Sequence, residues 1–252
     1  MFVDEKLIIP TDDQRAVVAM EAIHVGDIGR VRTLLQEHPE LATAALGNPE
    51  DGEGKGMTRT LLHVVTDWPG HFPNGAETVR VLVDAGADVN ARFTGPHTET
   101  PLHWAASSDD VEVLDALLDQ DADIEARGAV IGGGTPISDA TAFGQWNVAR
   151  RLLERGATTT FWESATLGLR DRVDAFFDAD PPPSPEDITE AFWGACHGGQ
   201  LAMAEYLLAR GADINWVGWD ELTALDTARR SEAPDVVAFL EGLCARSNKG
   251  TG

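Results

Sequence analysis

Self-similarity limits this chain more than any other feature, because a sequence that repeats folds as a string of like units, each finding its core on the next. Leu82-Val83-Asp84-Ala85-Gly86-Ala87-Asp88-Val89-Asn90 is echoed from Leu117 to Glu125, from Leu152 to Thr158 and from Leu207 to Asn215. The glycine of the phrase falls at Gly86, Gly156 and Gly211, and Asp121 takes its place in the second copy. The first two steps are 35 residues each and the third is 55, so the longer step holds a shortened unit. A second phrase precedes these copies: Thr60-Leu61-Leu62-His63, Thr100-Pro101-Leu102-His103-Trp104-Ala105-Ala106, Thr135-Pro136-Ile137, and Thr223-Ala224-Leu225-Asp226-Thr227-Ala228.

The spacing within a unit predicts helices. Val111, Leu114, Leu117 and Leu118 recur at helical intervals and make an apolar stripe that one helix pair cannot bury by itself. Thr100-Pro101 and Thr135-Pro136 read as an N-cap followed by proline at the first helical position. Gly86, Gly156 and Gly211 supply the positive φ that ends a helix, and Ala105, Ala106, Ala140 and Ala195 are small enough to let helices approach. No alternating run bounded by hairpin turns stands out, so a β-sheet scaffold is not expected.

The two phrases in fixed phase resemble the ankyrin repeat, and the resemblance is to single-module ankyrin proteins of the bacterial type with one irregular repeat. It implies an all-α fold: an ankyrin-repeat solenoid of about seven helix pairs with finger loops. The units fall at about 17–45, 58–92, 100–127, 135–158, 159–180, 190–216 and 223–246, giving an N-terminal segment 1–16, a repeat domain 17–246 and a tail 247–252. In the degenerate fifth and sixth units Trp162 and Trp193 stand where the motif has His, and core packing is expected of both. The second unit carries five extra residues within Asp67–Gly75, and the fingers Arg92–Glu99 and Arg127–Gly134 are long. The segment Ala44–Met57 reads as a flexible connection and Pro181–Pro185 as a stiff spacer between units.

Charge narrows the partners. The chain has 42 Asp and Glu against 19 Lys and Arg, a formal net charge of -23, which repels phosphate backbones and anionic membrane surfaces. Neither nucleic acid nor membrane is expected, and no apolar run reaches the roughly 18 residues of a bilayer span. Two cysteines, Cys196 and Cys244, are too few for a disulfide framework, and the start lacks the pattern of a signal peptide. A cytoplasmic, monomeric protein is the expectation. Gly52–Thr58 and Ile131–Gly134 lack the order of a phosphate loop or dinucleotide motif, so no cofactor is expected.

In ankyrin proteins the finger loops and the ends of the first helices face a concave groove. The resemblance therefore implies a protein-interaction module whose contacts with a neutral or basic partner include Asp67, Trp68, His97, Trp104, Ser107, Ser108, Phe143, Trp146, Leu167 and His197. Large aromatics such as Trp68 and Phe143 suit the role of anchors. His63 and His103 occupy the motif position, where a structural hydrogen bond is the expectation. The alternative is a small-molecule or metal pocket at the irregular second repeat, built from Asp67, His71, His97, His103 and Trp104, with His71, His97 and Asp67 as its catalytic candidates. Two His and a carboxylate suffice for a catalytic metal or for acid–base work. Convergence of His71 and His97 on one cavity would support it.

Overall fold

A computed structural model describes residues 7–47 and 56–248 of the chain. Among these residues, fourteen α-helices pair into seven hairpins, as the repeat phase predicts. Contacts divide them into two compact units, Met1–Ala157 and Thr158–Gly252.

The first unit holds α1 (Gln14–His24) with α2 (Ile28–Glu37), α3 (Leu61–Val65) with α4 (Gly75–Asp84), α5 (Pro101–Ser107) with α6 (Val111–Leu118), and α7 (Pro136–Ala142) with α8 (Trp146–Glu154). First helices stack on first helices, α1 on α3, α3 on α5 and α5 on α7, and second helices follow the same order. Leu61, Leu62, Leu82, Leu102, Leu114, Leu117, Ile137 and Leu152 are thereby sealed from water. These are the stripe residues that a lone hairpin would leave wet, and a fully buried Leu or Ile contributes about 2 kcal/mol from transfer alone.

The helix starts share one device. Thr60, Thr100 and Thr135 are N-caps in extended conformation, each in reciprocal hydrogen bonding with the third helical residue, which is His63, His103 and Ser138 in turn. At the helix ends, Gly86 and Gly156 take the left-handed φ that the sequence asks of them, and Asp121 takes it at φ 62 in place of glycine.

Two expectations for this unit change. The helix of the first hairpin begins at Gln14, three residues early, because Asp13 caps it by accepting from Arg15 N–H. The segment read as a flexible connection opens as ordered structure: a three-stranded sheet is formed by β1 (Ile8–Ile9), β2 (Ala45–Gly47) and β3 (Thr58–Arg59), parallel between the first pair and antiparallel between the second. Ile9, Ala45 and Leu46 are buried, so strands of two and three residues hold where their apolar side chains are sealed from water. The middle of that segment lies outside the described residues.

The second unit holds α9 (Phe161–Thr166) with α10 (Arg170–Phe177), α11 (Pro185–His197) with α12 (Leu201–Leu208), and α13 (Ala224–Arg230) with α14 (Pro234–Gly242). Phe192, Leu207, Leu225, Val236 and Leu240 centre its core. The supposed spacer ends inside a helix. Ser184 is the N-cap of α11, Pro185 its first residue and Asp187 the reciprocal partner, so the sixth unit has its own Ser-Pro start, upstream of the expected boundary at 190. In α9 the cap is Thr160 and the partner Glu163, one residue later than the repeat phase.

Candidate functional site

The inserted loop is docked on both neighbours. His24 of the first hairpin lies against Phe72 with ring centroids 4.5 Å apart, and Asn74 Nδ2 donates to Gly26 O at 2.9 Å. On the other side His71 N–H donates to Asp110 Oδ2 at 2.8 Å, and His71 Nε2–H donates to Ser108 O at 3.0 Å. A β-carbon on Gly70 would come within 2.8 Å of Ser108 Cβ, so that approach requires glycine. Between this loop and the α5–α6 turn lies a cleft of about 360 Å³ lined by residues 71–76 and 109–113. Two of its three carboxylates have structural work. Asp110 caps α6 through Val113 N–H, and Asp109 accepts from Asn147 Nδ2 and Val148 N–H.

Of the five residues of the alternative pocket, His71 alone lines this cleft. Asp67 is ion-paired with Arg59 and accepts Trp68 N–H at 3.0 Å. His103 is wholly buried: its Nδ1 accepts from Thr100 N–H and Oγ1–H, and its Nε2–H donates to Gly134 O. Burial holds it down to about 4, so it stays neutral. Trp104 stacks edge-on against His63 at 4.9 Å and leans on Phe93 at 5.5 Å. His97 lies half-buried on the finger. Sequence proximity brought these five together; the hairpin distributes them among a turn, a core cap and a finger. Among the described residues no group of three His, Cys, Asp or Glu is placed to hold a metal ion.

The expected contact residues divide as well. Trp68 is 82% exposed on a turn that is itself pinned, since Gly70 N–H donates to Asp67 O at 2.7 Å. Phe143, the C-cap of α7, is 47% exposed. Trp104, Trp146, His97 and Leu167 are half-buried. Ser107 and Ser108 turn their hydroxyls back onto the carbonyls of His103 and Trp104. His197 departs from expectation: it is buried, with Nδ1 on the Ser231 hydroxyl at 2.9 Å and its ring beside Trp193. Ser231 of the next hairpin and the ring of Trp193 enclose the imidazole, which removes it from the open surface.

Two clusters escaped the sequence reading. Glu99 and Asp139 are both buried carboxyls at the bases of neighbouring fingers. The signal was Asp139 itself, a charge directly after the motif His position, where the neighbouring units have Val64 and Trp104. In the second unit Trp219 touches Trp162, Trp193 and Trp216 edge-on, with centroids 5.0–5.6 Å apart. Trp193 is buried and donates to Leu222 O, as a core residue should, but Trp162 is only half-buried and its Nε1–H lacks an acceptor. The one-residue shift of the α9 cap turns Trp162 out of the core position that the repeat phase gives it.

Repeated hairpins with reciprocal threonine caps and projecting fingers define a repeat-class scaffold, and comparison with known proteins gives its family. The family described as ankyrin repeats (3 copies) matches residues 10–128 and 74–161, more than half of the chain. An ankyrin repeat and KH domain-containing protein of Caenorhabditis briggsae is 30% identical over 237 residues, 90% of this chain and 8% of that protein. The ankyrin repeat and KH domain-containing protein mask-1 of Caenorhabditis elegans is 29% identical over 174 residues, 65% of this chain and 6% of its own length. The chain belongs to the ankyrin-repeat family. It spans less than a tenth of either relative.

Proposed function

We propose that this chain is a protein-interaction module that receives a partner on the first-helix ends and fingers of its second to fourth hairpins. Trp68 carries the reading. A large indole left 82% in water on a hydrogen-bonded turn contributes nothing to the core beneath it, and such preorganised aromatics are what interface centres are made of. Phe143 repeats the arrangement at the turn of the fourth hairpin. The acidic excess suits a partner with a neutral or basic surface and disfavours nucleic acid and anionic membranes. Among the described residues no helix is long and apolar enough to cross a membrane. Cys196 and Cys244 are unpaired, which fits a reducing, cytoplasmic setting, and a monomer is the working state.

The test uses the whole chain, immobilised, and compares the proteins it retains with those retained by Trp68→Ala and Phe143→Ala. A protein held by the parent at low salt, weakened by added salt and lost from both variants supports the reading. Identical retention by parent and variants overturns it.

A further inference from the structure

Glu99 closes the first of two adjacent fingers and is 6% exposed, while Asp139, in the first turn of α7, is fully buried. Among the described residues no ion pair reaches either carboxyl. Arg92 of the first finger spends its Nη1 on the carbonyls of Thr98 and Arg127, and Arg151 of α8 is engaged by Asp115 and Glu154. The Arg127 side chain is on the exposed finger. From α5 comes His103, kept neutral by burial, with Arg92 and Asp123 acting on it in opposite directions. His97 of the same finger and Trp104 of α5 both act to lower Glu99 against its burial. Asp139 Oδ1 accepts Ile131 N–H at 3.5 Å, and Oδ2 is buried without a hydrogen-bond partner.

A carboxylate stripped of water beside a second carboxyl is costly twice over, by desolvation and by repulsion. Burial first, and the Glu99 charge second, push Asp139 up to about 7; burial raises Glu99 as well. What Asp139 holds gives this a mechanical consequence. Its carboxyl accepts Ile131 N–H of the finger 127–134, where the side chains of Val130 and Ile131 are 39% and 43% exposed. That finger closes on itself through Gly128 N–H to Gly134 O at 3.0 Å and meets the first finger through Thr98 N–H to Gly128 O at 3.3 Å. Gly128 sits at φ +133, and a β-carbon there would fall within 2.4 Å of Thr98 O, so the two fingers touch backbone to backbone.

We propose that Asp139 and Glu99 form a proton-operated latch on the finger 127–134: a proton on Asp139 Oδ2 holds the finger closed over α7, and its release to solvent lets the finger open. The open state gives the Asp139 carboxylate to water and removes it from Glu99. No other bond changes. The sign follows from linkage. A carboxyl that holds its proton more tightly when closed favours closure most in acid and loses that advantage as pH climbs to its closed-state titration point.

The test is amide hydrogen exchange of the full chain, corrected for the intrinsic pH dependence of exchange. Protection of the amides from 130 to 134 falls at least tenfold between pH 5 and 7, where linkage allows up to about tenfold per pH unit, and then levels off. Asp139→Asn abolishes the fall, Glu99→Gln diminishes it, and His97→Ala keeps it. A flat parent profile, a fall that survives in Asp139→Asn, or one that vanishes in His97→Ala overturns the latch. Should Asp139→Asn fail to fold, the carboxyl-carbon resonance of Asp139 in the parent decides: titration near neutrality supports the latch, and titration near pH 4 overturns it.

Discussion

Three first helices in each unit share one cap geometry, with different chemistry. In the first unit the third helical residue is His63, His103 or Ser138; in the second it is Glu163, Asp187 or Asp226. Either kind accepts the N-cap amide, but an imidazole has a second nitrogen to spend. His63 Nε2–H reaches Glu99 O and His103 Nε2–H reaches Gly134 O, so each cap also ties its hairpin to a following finger. A carboxylate that accepts both the N-cap amide and its hydroxyl makes a stronger local cap. Asp226 then adds the C-terminal segment through the Ser247 hydroxyl and Asn248 N–H. The motif histidine is therefore a stacking residue as much as a capping one.

The largest test of that distinction is His103→Ala. It removes the Thr100 acceptor, the bond to Gly134 and the ring from a fully buried place, at a cost of about 3 kcal/mol in urea unfolding at pH 7. The effect concentrates in lost exchange protection of the 127–134 finger. Because burial holds His103 down to about 4, the parent loses this contribution as pH falls from about 6.5 toward 4, and the penalty of the variant shrinks across that window. An unchanged penalty at pH 4.5 would break the comparison.

Asp226→Ala comes next, at about 2 kcal/mol, with lost protection confined to α13 and the segment near Ser247. Burial works against the ionised Asp226, but hydrogen bonds from Ser247, Asn248 and Thr223 outweigh it and bring the carboxyl down to about 2. Its contribution is complete above the ordinary carboxyl range near pH 4 and disappears as pH falls toward 2, well below the window of His103. Acidification thus loosens the His103 cap before the Asp226 cap, which residue-resolved exchange would show. Asp139 titrates with the opposite sign to His103 in the same unit, so a global unfolding curve blends the two and local protection separates them.

Ser138→Ala is smaller, about 1 kcal/mol, since it removes the acceptor for Thr135 N–H without an imidazole to lose. Trp68→Ala is the smallest: with the side chain in water, stability stays within about 0.5 kcal/mol of the parent. A destabilisation above 1 kcal/mol would assign Trp68 to the fold and withdraw it as an anchor.

The hairpins were legible because their signals are local. Thr-Pro at a helix start, a glycine at its end and an apolar stripe between them act within one turn or two, and their recurrence supplied the phase. Legibility failed where a partner from another hairpin decides. His197 looked like a groove residue by phase, yet Ser231 and Trp193 enclose it. The Ser184-Pro185 start went unseen because it lies upstream of the phase, at the end of a proline run. The expected pocket of Asp67, His71, His97, His103 and Trp104 was assembled from nearness along the chain, which does not say which end of a helix a side chain leaves from.

Sequence alone determined that this chain is a set of ankyrin hairpins and that its net charge is -23, since caps, periodicity and charge are properties of short segments and sums. Tertiary structure decided which polar groups are sealed and against what. Stacking put Asp139 beneath a finger, beside a carboxyl forty residues earlier, and left Trp68 outside. Burial is a relation between surfaces distant in the chain, and no single segment carries it.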